Sequence, residues 1–245
     1  VKYPFRTGYS MVGRVLAVGK GVKGVKEGDR IANYGLHQQY YKVQMDAKKR
    51  YDIPIGIGIA VLPDEISSEE GTWRSLAVTC QNAVRRAEFQ FGETVGVVGL
   101  GILGQLVTQY LAAAGARKII VIDPLASRLE LAKKGGATHT LQINIKDAVE
   151  PIRELTNGRM LDVMFDVTGH PSVLAPAVQL VRRLGRVVVL GDTPNPTQQY
   201  IGPGVVFKSV AILGIHGYQV PDGTSEYTPW SVDEMTSLYF DYLMQ

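Results

Sequence analysis

Residues 95–104 read Val95-Gly96-Val97-Val98-Gly99-Leu100-Gly101-Ile102-Leu103-Gly104, and Asp123 follows further along. An apolar strand runs into a G-x-G-x-x-G turn, the turn opens a helix, and an acid stands at the tip of the next strand. Gly99 permits the tight turn, Gly101 lets a pyrophosphate approach the backbone, and Gly104 lets the helix pack closely on the strand. The N–H groups of Ile102 and Leu103 fall at the helix N-terminus, where free donors and the helix dipole favour phosphate. Asp123 is placed to accept both hydroxyls of an adenosine ribose and to repel a 2′-phosphate, which points to NAD rather than NADP. Arg128, one helical turn on, is placed to cover that ribose or the adenine. Alone, G-x-G-x-x-G is a weak signal; flanked by strand, helix and distant acid it is a strong one. A purely structural glycine turn and a methyltransferase loop are the competing readings. The latter usually lacks the third glycine, and a P-loop would need the Gly-Lys-Ser/Thr that is missing here.

Outward from this motif the rhythm is regular. Strands are predicted over 95–98, 118–122, 138–141, 161–167, 186–190 and 209–215. Helices are predicted over 102–114, 125–134, 147–156 and 171–183. Strands alternating with helices at this spacing give a doubly wound α/β fold, a parallel sheet with helices on both faces. Ligands of such sheets bind beyond the carboxyl ends of the strands. Val167-Thr168, Leu190-Gly191 and Ile212-Leu213 end three strands and are the candidates to line the nicotinamide half.

The chain before the motif reads differently. Residues 11–18 and 29–43 look like short strands punctuated by Gly19, Gly21, Gly24 and Gly28. Ser67-Ser68-Glu69-Glu70 supplies acceptors for the free N–H groups of a helix start, and that helix is expected to run, with a break, to about Phe89. After residue 217 come a polar loop and an amphipathic helix carrying Val232, Met235, Leu238, Tyr239 and Tyr242. The expected division is 1–75, 76–217 and 218–245.

The bulk numbers exclude several classes. The 245 residues are 45% hydrophobic and 20% charged, with a net charge of +3 and no basic stripe, so no nucleic-acid partner is expected. No apolar run reaches the roughly 18 residues of a membrane span, and the opening residues lack a signal-peptide core. The chain does not begin with Met, so its natural start is expected upstream. Its single cysteine, Cys80, excludes an internal disulfide and a multi-cysteine zinc lobe; a cytoplasmic location is expected, and Cys80 reads as a packing residue.

Longer stretches carry a family resemblance. They are Gly8-Tyr9-Ser10-Met11-Val12-Gly13-Arg14-Val15, Gly19 with Val25-Lys26-Glu27-Gly28-Asp29-Arg30-Ile31, Leu76-Ala77 with Ala83-Val84, Gly99–Gly104, Asp123 with Arg128-Leu129-Glu130-Leu131-Ala132, and Gly185–Gly191. Through them the chain resembles the medium-chain dehydrogenase/reductase superfamily, the zinc-type alcohol, polyol and threonine dehydrogenases. The resemblance implies a Rossmann domain joined to a partial GroES-like β-barrel domain, a nicotinamide cofactor, and a homodimer or homotetramer formed through the Rossmann sheet. It also implies that family segments are missing at both ends.

The departures concern zinc. The family's Gly-His-Glu, whose histidine holds catalytic zinc, reads Gly8-Tyr9-Ser10. The next ligand position falls on Arg74, and the four-cysteine lobe expected after Gly28-Asp29-Arg30 gives way to Asn33-Tyr34-Gly35-Leu36-His37. A guanidinium does not ligate zinc, and a phenol is a poor ligand beside imidazole or thiolate. The expectation is therefore an oxidoreductase without zinc, with Tyr9, Arg74 and His37 as catalytic candidates. Tyr9 could donate a proton to a carbonyl or merely fill the pocket. Arg74 could clamp an anionic substrate or form an ordinary ion pair. His216 and His170 are weaker candidates and His139 the weakest. Three functional readings stay open: an NAD-dependent oxidoreductase for a polyol, sugar or secondary alcohol, a reductase of activated alkenes or quinones, and a non-enzymatic NAD-binding protein.

Overall fold

The computed structural model describes residues 7–43, 49–50, 53–54, 58–217, 220 and 223–245. Residues 1–6, read above for a signal peptide, and part of the polar loop after 217 lie outside the described residues. The chain divides into two compact units, Cys80–His216 and Val1–Thr79 with Gly217–Gln245.

In chain order the first unit begins with β1 (Met11–Arg14) and β2 (Arg30–Asn33), then the short pair β3 (Lys49–Arg50) and β4 (Ile53–Pro54), and β5 (Ala60–Val61). β1, β2 and β5 form an antiparallel sheet in that order, with Met11 opposite Asn33 and Ile31 opposite Val61. The strand expected over 29–43 is thus shorter than the sequence suggested. Past Asn33 the backbone leaves the ladder, and the His37 N–H donates to the Thr7 carbonyl at 2.9 Å. Helix α1 (Ser68–Thr72) starts as anticipated, with the Ser67 hydroxyl accepting from the Glu70 N–H and Glu70 reaching back to the Ser67 N–H. The expected break falls at Trp73, and α2 (Arg74–Arg86) follows.

The second unit holds β6 (Thr94–Val98), α3 (Ile102–Ala113), β7 (Lys118–Ile122), α4 (Ala126–Lys134), β8 (His139–Leu141) and α5 (Val149–Leu155). Next come β9 (Leu161–Asp166), α6 (Leu174–Leu180), β10 (Val181–Val189), α7 (Val205–Lys208) and β11 (Ala211–Gly214). All six strands are parallel, in the order β11-β10-β9-β6-β7-β8. Chain order reverses between β6 and β9, the switch point at which such sheets bind ligands. The strands are apolar nearly throughout because both faces are covered: every residue of β9 is buried. One face packs Val98, Ile120, Ile122, Met164 and Val187 against Ile152, Ala177 and Val178.

One helix prediction needs correction. The helix expected over 171–183 is confined to Leu174–Leu180, and Val181 already pairs with Leu161 of β9. The cause is backbone geometry: Leu184 takes a φ of 57°, which no right-handed helix accommodates, and pairing resumes in a shifted register at Arg186. Returning to the first unit, α8 (Val232–Leu243) is capped by the Ser231 hydroxyl and buries Val232 and Met235 with Val78 and Val220.

Candidate functional site

The predicted cofactor residues of the glycine turn, Asp123, Val167–Thr168 and Leu190–Gly191 come together at the carboxyl end of the parallel sheet, whereas Ile212 and Leu213 lie within β11 and pair with Val187 and Val188. Gly99 has a φ of +87°, and a Cβ there would lie 2.7 Å from the Thr168 methyl. At Gly104 a Cβ would lie 2.0 Å from the Gly99 carbonyl oxygen, so α3 can close on the turn only through glycine. Around Gly101, by contrast, a Cβ would meet nothing within 4 Å. That open space faces the start of α3, whose N-cap Gly101 provides no side-chain acceptor. The first-turn N–H groups of Ile102 and Leu103 have no acceptor within their own helix.

Asp123 closes one side of the turn. It is 2% exposed; its Oδ2 accepts from the Leu100 N–H at 2.8 Å and its Oδ1 from the Leu125 N–H at 2.9 Å. Arg128 Nη1 lies 3.6 Å from Oδ2 while its side chain remains half exposed. Gln105, which the sequence did not single out, donates to the carbonyls of Leu100 and Arg128 and so ties the turn to α4. Each carboxylate oxygen has a second lone-pair site beyond the backbone bond it accepts, so the arrangement retains capacity for ribose hydroxyls.

The neighbouring strand tips interlock. The Val167 N–H donates to the Val98 carbonyl at 3.1 Å, and the Leu190 and Gly191 N–H groups donate to the Asp166 carbonyl at 2.9 and 3.1 Å. A Cβ on Gly169 would lie 2.4 Å from the Asp192 carbonyl oxygen, and one on Gly191 would lie 2.2 Å from the Gly169 nitrogen. These glycines permit backbone-to-backbone contact. Thr168, exposed at the rim, donates its hydroxyl to Asp166 Oδ1 at 2.7 Å. Ile212 packs against the apolar core of its sheet face, and Leu213 is half-buried. Cys80 is fully buried, its thiol toward the Leu103 carbonyl, and burial pushes its pKa up.

The catalytic candidates lie in the other unit. The His37 ring covers Gly8: a Cβ there would come within 2.1 Å of it. Tyr9, half exposed, faces Tyr34 with ring centroids 5.8 Å apart. Ser10 donates to the Thr72 carbonyl and accepts from the Ser75 hydroxyl at 3.3 Å, so β1's leading edge meets the α1–α2 junction. Arg74 is 2% exposed. Its Nε donates to the Thr236 hydroxyl at 2.9 Å and its Nη1 to the Gly58 carbonyl, while Nη2 is buried with no partner among the described residues. Burial pulls its pKa down to about 10 against an opposing pull from Asp233, which leaves it cationic at neutral pH. Among the described residues no carboxylate lies within 4 Å of Arg74, and the nearest electrostatic influence is that of Asp233.

The remaining histidines occupy separate places. The His170 ring meets the Ser172 hydroxyl at 2.8 Å, His139 meets Thr138 at 2.9 Å, and the His216 carbonyl accepts from Asn82. Among the described residues no three His, Cys, Asp or Glu side chains converge as a metal site would require. Sequence reasoning missed Ser10, Ser75, Thr236 and Asp166. Asp166 alone left a signal, an acid ending a strand that is apolar apart from Asp162, since acids are rarely buried without a reason.

Comparison with known proteins places this arrangement. The alcohol dehydrogenase GroES-like domain matches residues 1–88 and the zinc-binding dehydrogenase family matches residues 103–237. Sorbitol dehydrogenase of Bacillus subtilis is 32% identical over 246 residues, spanning 89% of this chain and 67% of that protein. The (R,R)-butanediol dehydrogenase of the same organism is 31% identical, over 88% of this chain and 66% of that protein. The crystal structure of 2R,3R-butanediol dehydrogenase from Bacillus subtilis superposes with a TM-score of 0.74 at 26% identity, covering 98% of this chain and 71% of that one. A GroES-like segment followed by a dehydrogenase domain is what both family matches describe, and the chain belongs to the zinc-binding dehydrogenases of the medium-chain dehydrogenase/reductase superfamily, a family of oxidoreductases.

Proposed function

We propose that this protein transfers a hydride between NAD(H) and a hydroxyl or carbonyl compound of the polyol, sugar or secondary-alcohol class, without a catalytic zinc ion. The observation that carries the cofactor reading is the open space over Gly101, the N-cap of α3, next to Leu100, whose N–H donates to the Asp123 carboxylate. A pyrophosphate fits such a place because its charge meets N–H dipoles without a side chain intervening. A 2′-phosphate would bring two further negative charges against Asp123, which favours NAD over NADP. The nicotinamide supplies the hydride acceptor when bound.

The substrate class follows the relatives, which act, by their names, on sorbitol and butanediol. Zinc does not fit the residues present. By the family resemblance, Tyr9 and Arg74 stand at two of the ligand positions, and a buried guanidinium repels a divalent cation. Arg74 instead supplies a fixed positive charge of its own. A donor held in a dry environment stabilises negative charge developing on a substrate oxygen, the role a metal ion otherwise takes. The half-exposed Tyr9 and the His37 ring beside Gly8 are the groups of this unit suited to proton exchange. Among the described residues β11 pairs only with β10, and it exposes Ala211 and Gly214, which supports pairing with a second copy.

Calorimetric titration tests the cofactor reading. The protein should bind NAD at least about tenfold more tightly than NADP, and Asp123→Ala should weaken NAD and narrow that ratio. An unchanged ratio in the variant removes the ribose assignment. Metal analysis tests the second half: one zinc ion per purified chain would reverse the mechanism.

A further inference from the structure

Asp166 ends β9 at the switch point of the sheet, fully buried, in a strand otherwise made of apolar residues and Asp162. Its groups reach two strand tips, that of β10 and that of its own strand. The backbone carbonyl accepts from both Leu190 and Gly191, which fixes the end of β10. Oδ1 accepts from the Thr168 N–H at 3.0 Å and from the Thr168 hydroxyl at 2.7 Å. The Thr168 hydroxyl in turn accepts from the His170 N–H at 3.0 Å. With its hydroxyl so engaged, Thr168 directs its methyl at Gly99, the first glycine of the turn, where even a Cβ would collide with it. Oδ2 has no partner among the described residues.

An ionisable group buried with half its carboxylate unsatisfied is costly, and a core position of this kind is ordinarily apolar. A purely structural strand end could be closed by the backbone bonds to Leu190 and Gly191 alone. What the side chain adds is a defined conformation for Thr168 and the loop that follows, on the side of the sheet where Gly99 and Gly101 open.

We propose that Asp166 is a positioning residue for the dinucleotide. Through Thr168 it holds the 167–170 loop against the glycine turn, and through its carbonyl it holds the 190–191 tip, so that the two backbone segments flanking the nicotinamide half of the cofactor are set before binding. It touches no reacting atom. The inference rests on the cofactor reading above, and preorganisation of this kind lowers the ordering cost of binding.

The test is NADH affinity by calorimetry beside thermal unfolding, for the wild-type protein, Asp166→Ala, Asp166→Asn, Thr168→Val and the Ala/Val double variant. Losing the loop tie should raise the NADH dissociation constant about tenfold in Asp166→Ala and about fivefold in Thr168→Val, the scale of one or two hydrogen bonds. Because both changes break the same link, the double variant should bind no more weakly than Asp166→Ala, rather than showing the product of the two losses. Asparagine keeps an acceptor for Thr168, so Asp166→Asn should return to within about threefold of wild type. A lowered unfolding temperature with unchanged NADH affinity would make Asp166 a structural residue only and overturn the proposal; so would fully multiplicative losses in the double variant. Thr168 is exposed, so its variant decides the matter even if Asp166→Ala does not fold: unaltered affinity there refutes the link. Failure of the wild-type protein to bind NADH would instead sink the cofactor reading itself.

Discussion

The unit spanning Cys80–His216 and the unit formed by Val1–Thr79 with Gly217–Gln245 place their functional groups in different ways. In the first, local sequence places almost everything. A glycine turn, the helix it opens and the strand tips beside it follow one another in register, and apolar strands buried on both faces hold them. In the second, sheets are short and the groups of interest are assembled from distant segments: Arg74 is anchored by Thr236 and Gly58, and Ser10 meets Thr72 and Ser75. The contrast suggests a division of labour. Cofactor binding relies on backbone donors that any sequence with the right glycines provides, whereas substrate chemistry relies on side chains that tertiary contacts must orient.

The sharpest way to break the comparison is Gly104→Val. A Cβ at this position would lie 2.0 Å from the Gly99 carbonyl oxygen, so α3 must move off the turn. Loss of about 3 kcal/mol of stability is expected, together with loss of measurable NADH binding, by denaturant unfolding and calorimetry. Retained affinity would mean that the turn does not need the close approach.

Arg74→Met probes the other unit. Removing a buried charge in favour of an apolar chain should leave stability within about 1 kcal/mol, because the desolvation cost disappears along with the hydrogen bonds. Turnover should fall about 100-fold, as for loss of one donor to a developing oxyanion, with NADH affinity unchanged. Parallel loss of NADH affinity would show that the two functions are not separable by unit.

A smaller effect tests whether α1 is held by local chemistry. Ser67→Ala removes the reciprocal cap with Glu70 and should cost about 1 kcal/mol, read as a fall of a few degrees in melting temperature. The smallest effect concerns pH. Burial raises the Asp166 pKa, opposed by its Thr168 bonds and by His170. A carboxyl whose folded pKa is raised contributes stability below its unfolded value and loses it as pH rises through the folded value. Asp166→Asn should therefore gain stability relative to wild type as pH rises from acid to neutral, with the two converging in acid. A difference that is flat with pH would show that Asp166 titrates normally in the folded protein.

Much of this molecule was legible before folding. The alternation of apolar strands with helical patterns, together with Gly99, Gly101, Gly104 and Asp123, predicted a doubly wound sheet with its turn and acid, and Ser67 with Glu70 marked the start of α1. What misled was local backbone conformation. The apolar pattern of 171–183 continues a helix on paper, but Leu184 in the left-handed region and the early pairing of Val181 end it. Likewise 34–43 reads as strand material, yet the His37 N–H turns to Thr7 instead of a ladder partner.

The sequence by itself determined the class of fold and the shape of the glycine turn, because both depend on side-chain patterning and on where a Cβ is missing, which are properties of consecutive residues. Only the tertiary structure decided that Arg74 is sealed in, with one amino group unpartnered among the described residues, and that Asp166 bonds both to Thr168 and to the 190–191 strand tip. Burial and hydrogen-bond partners are set by residues far apart in the chain, and it is those partners, not the residue type, that determine what a charged side chain does.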